Sequence, residues 1–337
     1  MCLLMCPYFS VHNQLKVLQA NEKRRWNMKR LSHSLLLVCL TFFMFVMPVE
    51  AKKLIPMGHT ISIQLQMPHY YVVNDILLDS GDWLRKKDQL LKIDGQEVKE
   101  FNEDNKQSKD VKLIVKRGDK QYTVEVSSNE LKQLTNFIKN QTDGVGTLTY
   151  LDPEVMEYGA LGHQIIDHAI DITPKVLRGS LYLASISQIK KSRPGEPGYK
   201  ISSSERHEGE VGTVLANEAY GIFGKWQQPL QQSLYPPLEI IHGNEIKPGP
   251  AQMLTSIEGS KVESFSINIL KVTNETFQFT VTDERLLQKT GGIIQGMSGS
   301  PIIQNDQFIG AVTHMFVEEP QKGAAITIVE MIKKSPN

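Results

Sequence analysis

Cysteine is confined to the first forty of the 337 residues, as Cys2, Cys6 and Cys39. The rest of the chain therefore has no thiol nucleophile, no CxxC zinc site and no disulfide framework. A surplus of either charge is also missing: 37 Lys plus Arg stand against 37 Asp plus Glu. That balance excludes a dedicated nucleic-acid binder, whose phosphate contacts require excess Lys and Arg. There is no HExxH and no other tight cluster of metal-ligating residues, so metal-dependent hydrolysis is disfavoured and no cofactor is expected. Long uncharged apolar runs are scarce as well.

One such run, Leu35 to Met47, has 13 residues. It follows Lys23, Arg24, Arg25, Lys29 and Arg30 and precedes Pro48-Val49-Glu50-Ala51. This is the layout of an export signal, with small side chains at Val49 and Ala51 where a signal peptidase reads. At about 1.5 Å per residue the run covers only about 20 Å of a hydrocarbon core some 30 Å thick, which favours cleavage over a retained anchor. Met28 opens a complete signal by itself, so residues 1–27 read as an over-extended start. Without residues 1–51 the chain carries 31 basic and 35 acidic residues and no cysteine. A thiol-free, slightly acidic body suits a place outside a bacterial cytoplasm.

Residues 54–127 read as a small β domain. Thr60 to Leu65 alternates with period two, and Tyr70 to Val73 is a second strand. In Asp88 to Val98 two hydrophobic strands meet at Asp94-Gly95, a pair that tolerates the positive φ of a tight hairpin. A further hairpin is predicted over Val111 to Val124. The order of elements resembles a bacterial PDZ domain, which implies capture of a peptide tail by backbone N–H groups and strand addition. The resemblance places the carboxylate loop at Gly58, His59 and Thr60, and puts Lys87 where many PDZ relatives carry glycine. Residues 128–140, with Leu131, Leu134, Phe137 and Ile138 at helical spacing, are expected to form a linker helix. From 141 to 337, short strands punctuated by Gly, Pro and Asn predict a β barrel or sandwich. The fold class is therefore mainly β.

The chemistry concentrates at Gly296-Met297-Ser298-Gly299-Ser300-Pro301, ahead of a predicted hairpin. G-x-S-G-x-P is the nucleophile signature of chymotrypsin-like peptidases. A serine projecting from a tight turn can attack, while its own N–H and that of Gly296 converge on the developing oxyanion. Such a serine needs an imidazole to take its proton. The candidates are His163, His168, His207, His242 and His314. Of these, His163 lies in a glycine-lined bend, Gly159-Ala160-Leu161-Gly162-His163, whereas His207 and His242 read as surface residues and His314 as a packed strand residue.

Together, the GALGH segment with Asp167, Thr282-Asp283, and Thr290 to Asn305 resemble the stage IV sporulation protein B family of serine peptidases. That resemblance implies a chymotrypsin-like double β-barrel with His163 as base, Asp283 as orienting acid and Ser298 as nucleophile. Asp283 precedes the serine by only fifteen residues, which leaves Asp167 and Asp171 as rivals. It further implies export across the forespore membrane into the intermembrane space and cleavage of a membrane-associated inhibitor complex. That cut would free an intramembrane protease to process pro-sigma-K, with self-cleavage and PDZ control of timing. The implied partners are that protein substrate at a membrane surface and peptide tails. A catalytically idle PDZ-barrel scaffold binding membrane-protein tails is the alternative.

Overall fold

A computed structural model describes residues 52–100, 110–205, 209–230 and 233–335. The expected export segment, 1–51, and His207 lie outside the described residues. No helix among the described residues is long and apolar enough to cross a membrane.

The chain is mainly β, and its strand pairings close two rings. The first joins Thr60–Val72, Ile138–Asp152, Glu157–Ala160, Gly221–Trp226, Gly212–Glu218 and Arg178–Lys190, each antiparallel to the next, with Arg178–Lys190 returning to Thr60–Val72. Inside it pack Ile61, Ile63, Leu65, Leu148, Tyr158, Leu181 and Ile222, all 2% exposed or less. These residues alternate with outward-facing ones along their strands, as the pleat requires. The second ring is a closed barrel of Gly249–Ser256, Val262–Val272, Thr276–Val281, Glu319–Thr327, Gln307–Phe316 and Pro301–Gln304. Its core is Met253, Phe265, Phe279, Met297 and Ile309 with their neighbours. Ring closure leaves few strand edges to solvent.

The small β domain is an insertion in the first barrel. Thr60–Gln66 pairs with Gln141–Thr147, and after a shift in register Tyr71 and Val72 pair with Lys139 and Ile138. Between those two strands the described residues of 73–137 form a module with its own core of Leu84, Leu90, Val111, Leu113, Val115 and Val126. The expected boundaries are corrected accordingly: residues 54–67 pack in the barrels, and the peptidase portion does not begin at 141. A period-two strand carries the same alternation whichever sheet it joins, so its partner lies outside local pattern.

The same correction removes the proposed carboxylate loop. Gly58 N–H donates to Leu148 O at 2.9 Å, Thr60 lies in a barrel strand, and a Cβ on Gly58 would stand 2.8 Å from Val262 of the second barrel. Gly58, His59 and Thr60 thus join the barrels and offer no loop to a peptide terminus on the module.

Within the module the local signals are realised. Asp94 (φ 48°) and Gly95 (φ 78°) make the two-residue turn between Gln89–Ile93 and Gln96–Glu97. Lys87 adopts φ 75°, the left-handed backbone that a glycine takes without cost. Asp88, 1% exposed, accepts two bonds from the Arg117 guanidinium at 2.6 and 2.8 Å. The linker helix is shorter than expected: Ser128–Leu134 carries a capping box between Ser127 and Glu130, and Ile138 already opens a barrel strand.

Candidate active site

The nucleophile turn is built by two glycines and clamped from the opposite barrel. Gly296 (φ 94°) and Gly299 (φ 91°) take left-handed conformations on either side of Met297-Ser298. From the first-barrel strand Ile138–Asp152, Thr147 donates its N–H to Ser298 O at 2.9 Å and its hydroxyl to Gly296 O at 2.7 Å. Two residues on, the Thr149 hydroxyl donates to Gly299 O at 2.8 Å. The carbonyls on the far side of the Gly296 and Ser298 peptide planes are tied down, Gln295 O by Lys200 N–H at 3.0 Å and Met297 O by Ser300 N–H at 2.9 Å, while the N–H groups of Gly296 and Ser298 donate to no acceptor among the described residues. Two unengaged N–H groups flanking a serine are the donors an oxyanion requires.

His163 follows the first-barrel strand Glu157–Ala160. Leu161 (φ 72°) and Gly162 (φ 69°) turn the chain through two successive left-handed residues. For leucine that conformation costs about 1–2 kcal/mol, and the contact it creates is specific. A Cβ on Gly162 would stand 3.0 Å from Val312 O and 3.2 Å from the Thr313 methyl, in the second barrel. Ser298 reaches the same place: its hydroxyl donates to Thr313 O at 3.1 Å. Histidine bend and serine turn therefore abut one strand, Gln307–Phe316, and His163 and Ser298 line one cavity of about 650 Å³. They are 135 residues apart in the chain. The Thr313 bond holds one of the three staggered positions open to the Ser298 side chain.

The His163 imidazole is prepared as a neutral base. Its Nδ1 lies 2.8 Å from Gln164 O; an N–H donated there leaves Nε2 as the proton acceptor. Burial lowers its pKa, the Gln164 bond opposes that, and neighbouring His314 lowers it further. The rings of His163 and His314 are 5.7 Å apart between centroids. His314, expected as a packed strand residue, is instead exposed at the cavity: a β-bulge between Val312 and His314 breaks the alternation that would have placed it on the buried face of Val312. His168 also lines the cavity, and His242 caps the 3-10 turn Gly243–Glu245.

No carboxylate hydrogen-bonds His163 among the described residues. Asp283 is outside the cavity lining. It is the N-cap of the helix Glu284–Thr290, its carboxylate accepting Leu286 N–H at 3.1 Å. Asp167 is buried, accepts the N–H groups of Ala169 and Ile170, and pairs with Lys139 at 2.7 Å. Asp171 pairs with Lys87 at 3.6 Å. The structure brings His163 and Ser298 to one cavity and sets all three acidic candidates to other tasks.

The family model described as SpoIVB peptidase S55 matches residues 129–332, more than half of the chain. The chain belongs to the SpoIVB peptidase S55 family. It is accordingly a serine peptidase, and the matched span of this S55 peptidase holds His163, Asp283 and Ser298. No curated protein matches it. Among solved structures it is similar to the active form of the Rv3671c protease from M. tuberculosis, at 14% identity over 57% of this chain and 73% of that one, with a TM-score of 0.34. The inactive form of the Rv3671c protease gives 14% identity, 57% and 82% coverage, and a TM-score of 0.33.

Sequence reasoning missed the threonine clamp of this peptidase, which a β-rich GTLTY segment conceals. In a Thr147→Val protein the shape is kept while the Gly296 O bond disappears. The loss of one well-made hydrogen bond, about 1–1.5 kcal/mol, is expected to lower kcat about tenfold with little change in KM. Steady-state hydrolysis of a peptide, with a thermal melt as control, reads this directly.

Proposed function

We propose that this chain is an exported, chymotrypsin-like endopeptidase of sporulation signalling. Ser298 attacks a peptide carbonyl, His163 takes the hydroxyl proton and returns it to the leaving amine, and the N–H groups of Gly296 and Ser298 hold the oxyanion. Water then resolves the acyl-enzyme with His163 again as base. In this reading Gln164 O holds the imidazole tautomer. The observation that carries it is that a turn-borne serine with two unengaged N–H neighbours shares a cavity with a half-buried, neutral imidazole from the other barrel.

The substrate proposed is a membrane-associated regulatory complex whose cleavage triggers pro-sigma-K processing, and self-cleavage is proposed with it. Family membership supports the sporulation role. The cavity wall adds a chemical preference, since Leu161, Ile165, Ile293, Ile294 and Met315 line it with apolar surface. A substrate side chain entering there gains by leaving water, so apolar residues are preferred beside the cut bond.

A fluorophosphonate probe tests the reading. Labelling that survives Ser300→Ala and disappears in Ser298→Ala is the expected result. Ser300 is fully buried and has no route to the probe. A folded chain that takes no label would instead be a binding scaffold.

A further inference from the structure

Behind the oxyanion donors lies a buried lysine that the hydrolysis above does not use. The Pro- and Gly-rich segment 192–204 reads in the sequence as a surface loop, but Tyr199–Ser204 is a strand paired with Arg178–Lys190, and its Lys200 is only 7% exposed. Its backbone N–H donates to Gln295 O at 3.0 Å, and Gln295 N–H donates to Gly198 O at 2.8 Å. Its stem runs beneath Gly296, where an added Cβ would meet Lys200 Cδ, Cγ and Cβ at 3.1–3.3 Å. Its amine reaches Thr255 Oγ1 of the second barrel at 3.0 Å and Thr60 Oγ1 of the first at 3.4 Å. One side chain thus touches both barrels and the loop that carries an oxyanion N–H.

We propose that Lys200 is a positioning residue for peptide hydrolysis, acting as a neutral amine that joins the two barrels and sets Gly296 in place.

The donor and acceptor inventory favours the neutral form. An ammonium has three N–H groups and would find two hydroxyl acceptors here, while the two hydroxyl protons would find none. A neutral amine donates to one threonine and accepts from the other. The strands around it, Thr60–Val72, Gly249–Ser256 and Arg178–Lys190, and the loop 291–298 contain no Asp or Glu. The titratable and charged groups on them are His69, Tyr70, Tyr71, Arg178, Tyr182 and Lys190, none of which supplies a counter-charge. His59, beside Thr60, is itself neutral at working pH, because burial pulls it down to about 4. Burial likewise pulls Lys200 down to about 7. Below that value the amine takes up a proton it cannot place, and the contact that supports Gly296 is disturbed.

The inference rests on the peptidase reading, and two measurements keep them separable. The first is kcat against pH for the full chain and for Lys200→Met and Lys200→Arg. In the wild type kcat should fall about tenfold per pH unit below about 7. In Lys200→Met the acid limb should move down to that of His163, below 6.5. Lys200→Arg carries a permanent charge and should lose at least about tenfold in kcat at pH 8, with KM within about threefold. The second is a pH titration of ¹³Cε-lysine in the full-length Ser298→Ala protein, with the Lys200 signal assigned by its absence from the double variant. A midpoint near 7 is expected. A midpoint above about 9, or superimposable wild-type and Lys200→Met profiles, overturns the proposal. Failure of the wild type to hydrolyse any peptide while Lys200 titrates near 7 overturns the peptidase reading instead.

Discussion

Replacing His163 by alanine is expected to lower kcat/KM by about 10⁵-fold or more, whereas Asp283→Asn should change it by less than about threefold. The contrast follows from geometry. His163 is the imidazole that shares the cavity with Ser298, so its removal strips the serine of its proton acceptor. Asp283 accepts Leu286 N–H as a helix cap, and asparagine caps a helix as well as aspartate. The substitution therefore removes the charge and keeps the fold. An aspartate that stabilised a forming imidazolium would show itself by a fall of about 10³–10⁴-fold in kcat for the same change. A fall of that size would place Asp283 behind His163 in the working enzyme and would demand a large movement of the segment 282–290. Asp167→Asn is a less clean comparison, because Asp167 is 3% exposed and holds Lys139; its loss would destabilise the histidine loop whatever its catalytic role.

Much of the site could be read from the chain because its chemistry depends on local backbone. Gly296 and Gly299 mark a turn with positive φ, and the polar turn after Ile303 marks the hairpin behind it. The GALGH bend was equally legible: Gly162 allows the chain to turn against Val312 and Thr313. Asp283 carried a local signal that pointed elsewhere. Asp followed by Glu284-Arg285-Leu286-Leu287 and then Gly291-Gly292 is the pattern of a capped short helix, and Gly291 indeed closes it with φ 75°. What no local pattern could supply was the pairing of strands far apart in sequence. Thr60 opposite Thr147 is a contact across an inserted module, so the barrel's first strand read as the beginning of the module. Lys200 failed for the same reason. Its segment, with Pro194, Gly195, Pro197 and Gly198, reads as a surface loop, and only the contacts to Thr60 and Thr255 show that both barrels reach it.

Gly299→Ala is expected to cost about 2–6 kcal/mol and to remove most of the hydrolytic activity. Two penalties combine. The backbone at φ 91° lies where a side chain is strained by about 1–3 kcal/mol. The added methyl would also stand 2.2 Å from Thr147 O and 2.5 Å from Leu161 N. Both are main-chain atoms of the first barrel, one in the strand that clamps the serine turn and the other at the bend before His163, so neither can swing aside as a side chain would. Relief requires the barrels to separate at the point where Ser298 and His163 must meet, at a further cost of about 1–3 kcal/mol. Gly118→Ala is the internal control: it too has positive φ, at 59°, but nothing lies within 4 Å of its new methyl. Its cost should be about 1 kcal/mol, with hydrolysis unchanged. Thermal melts of the two proteins should differ by several degrees. Equal melting temperatures would mean that the first barrel does not press against the serine turn, and the shared cavity would lose its mechanical basis.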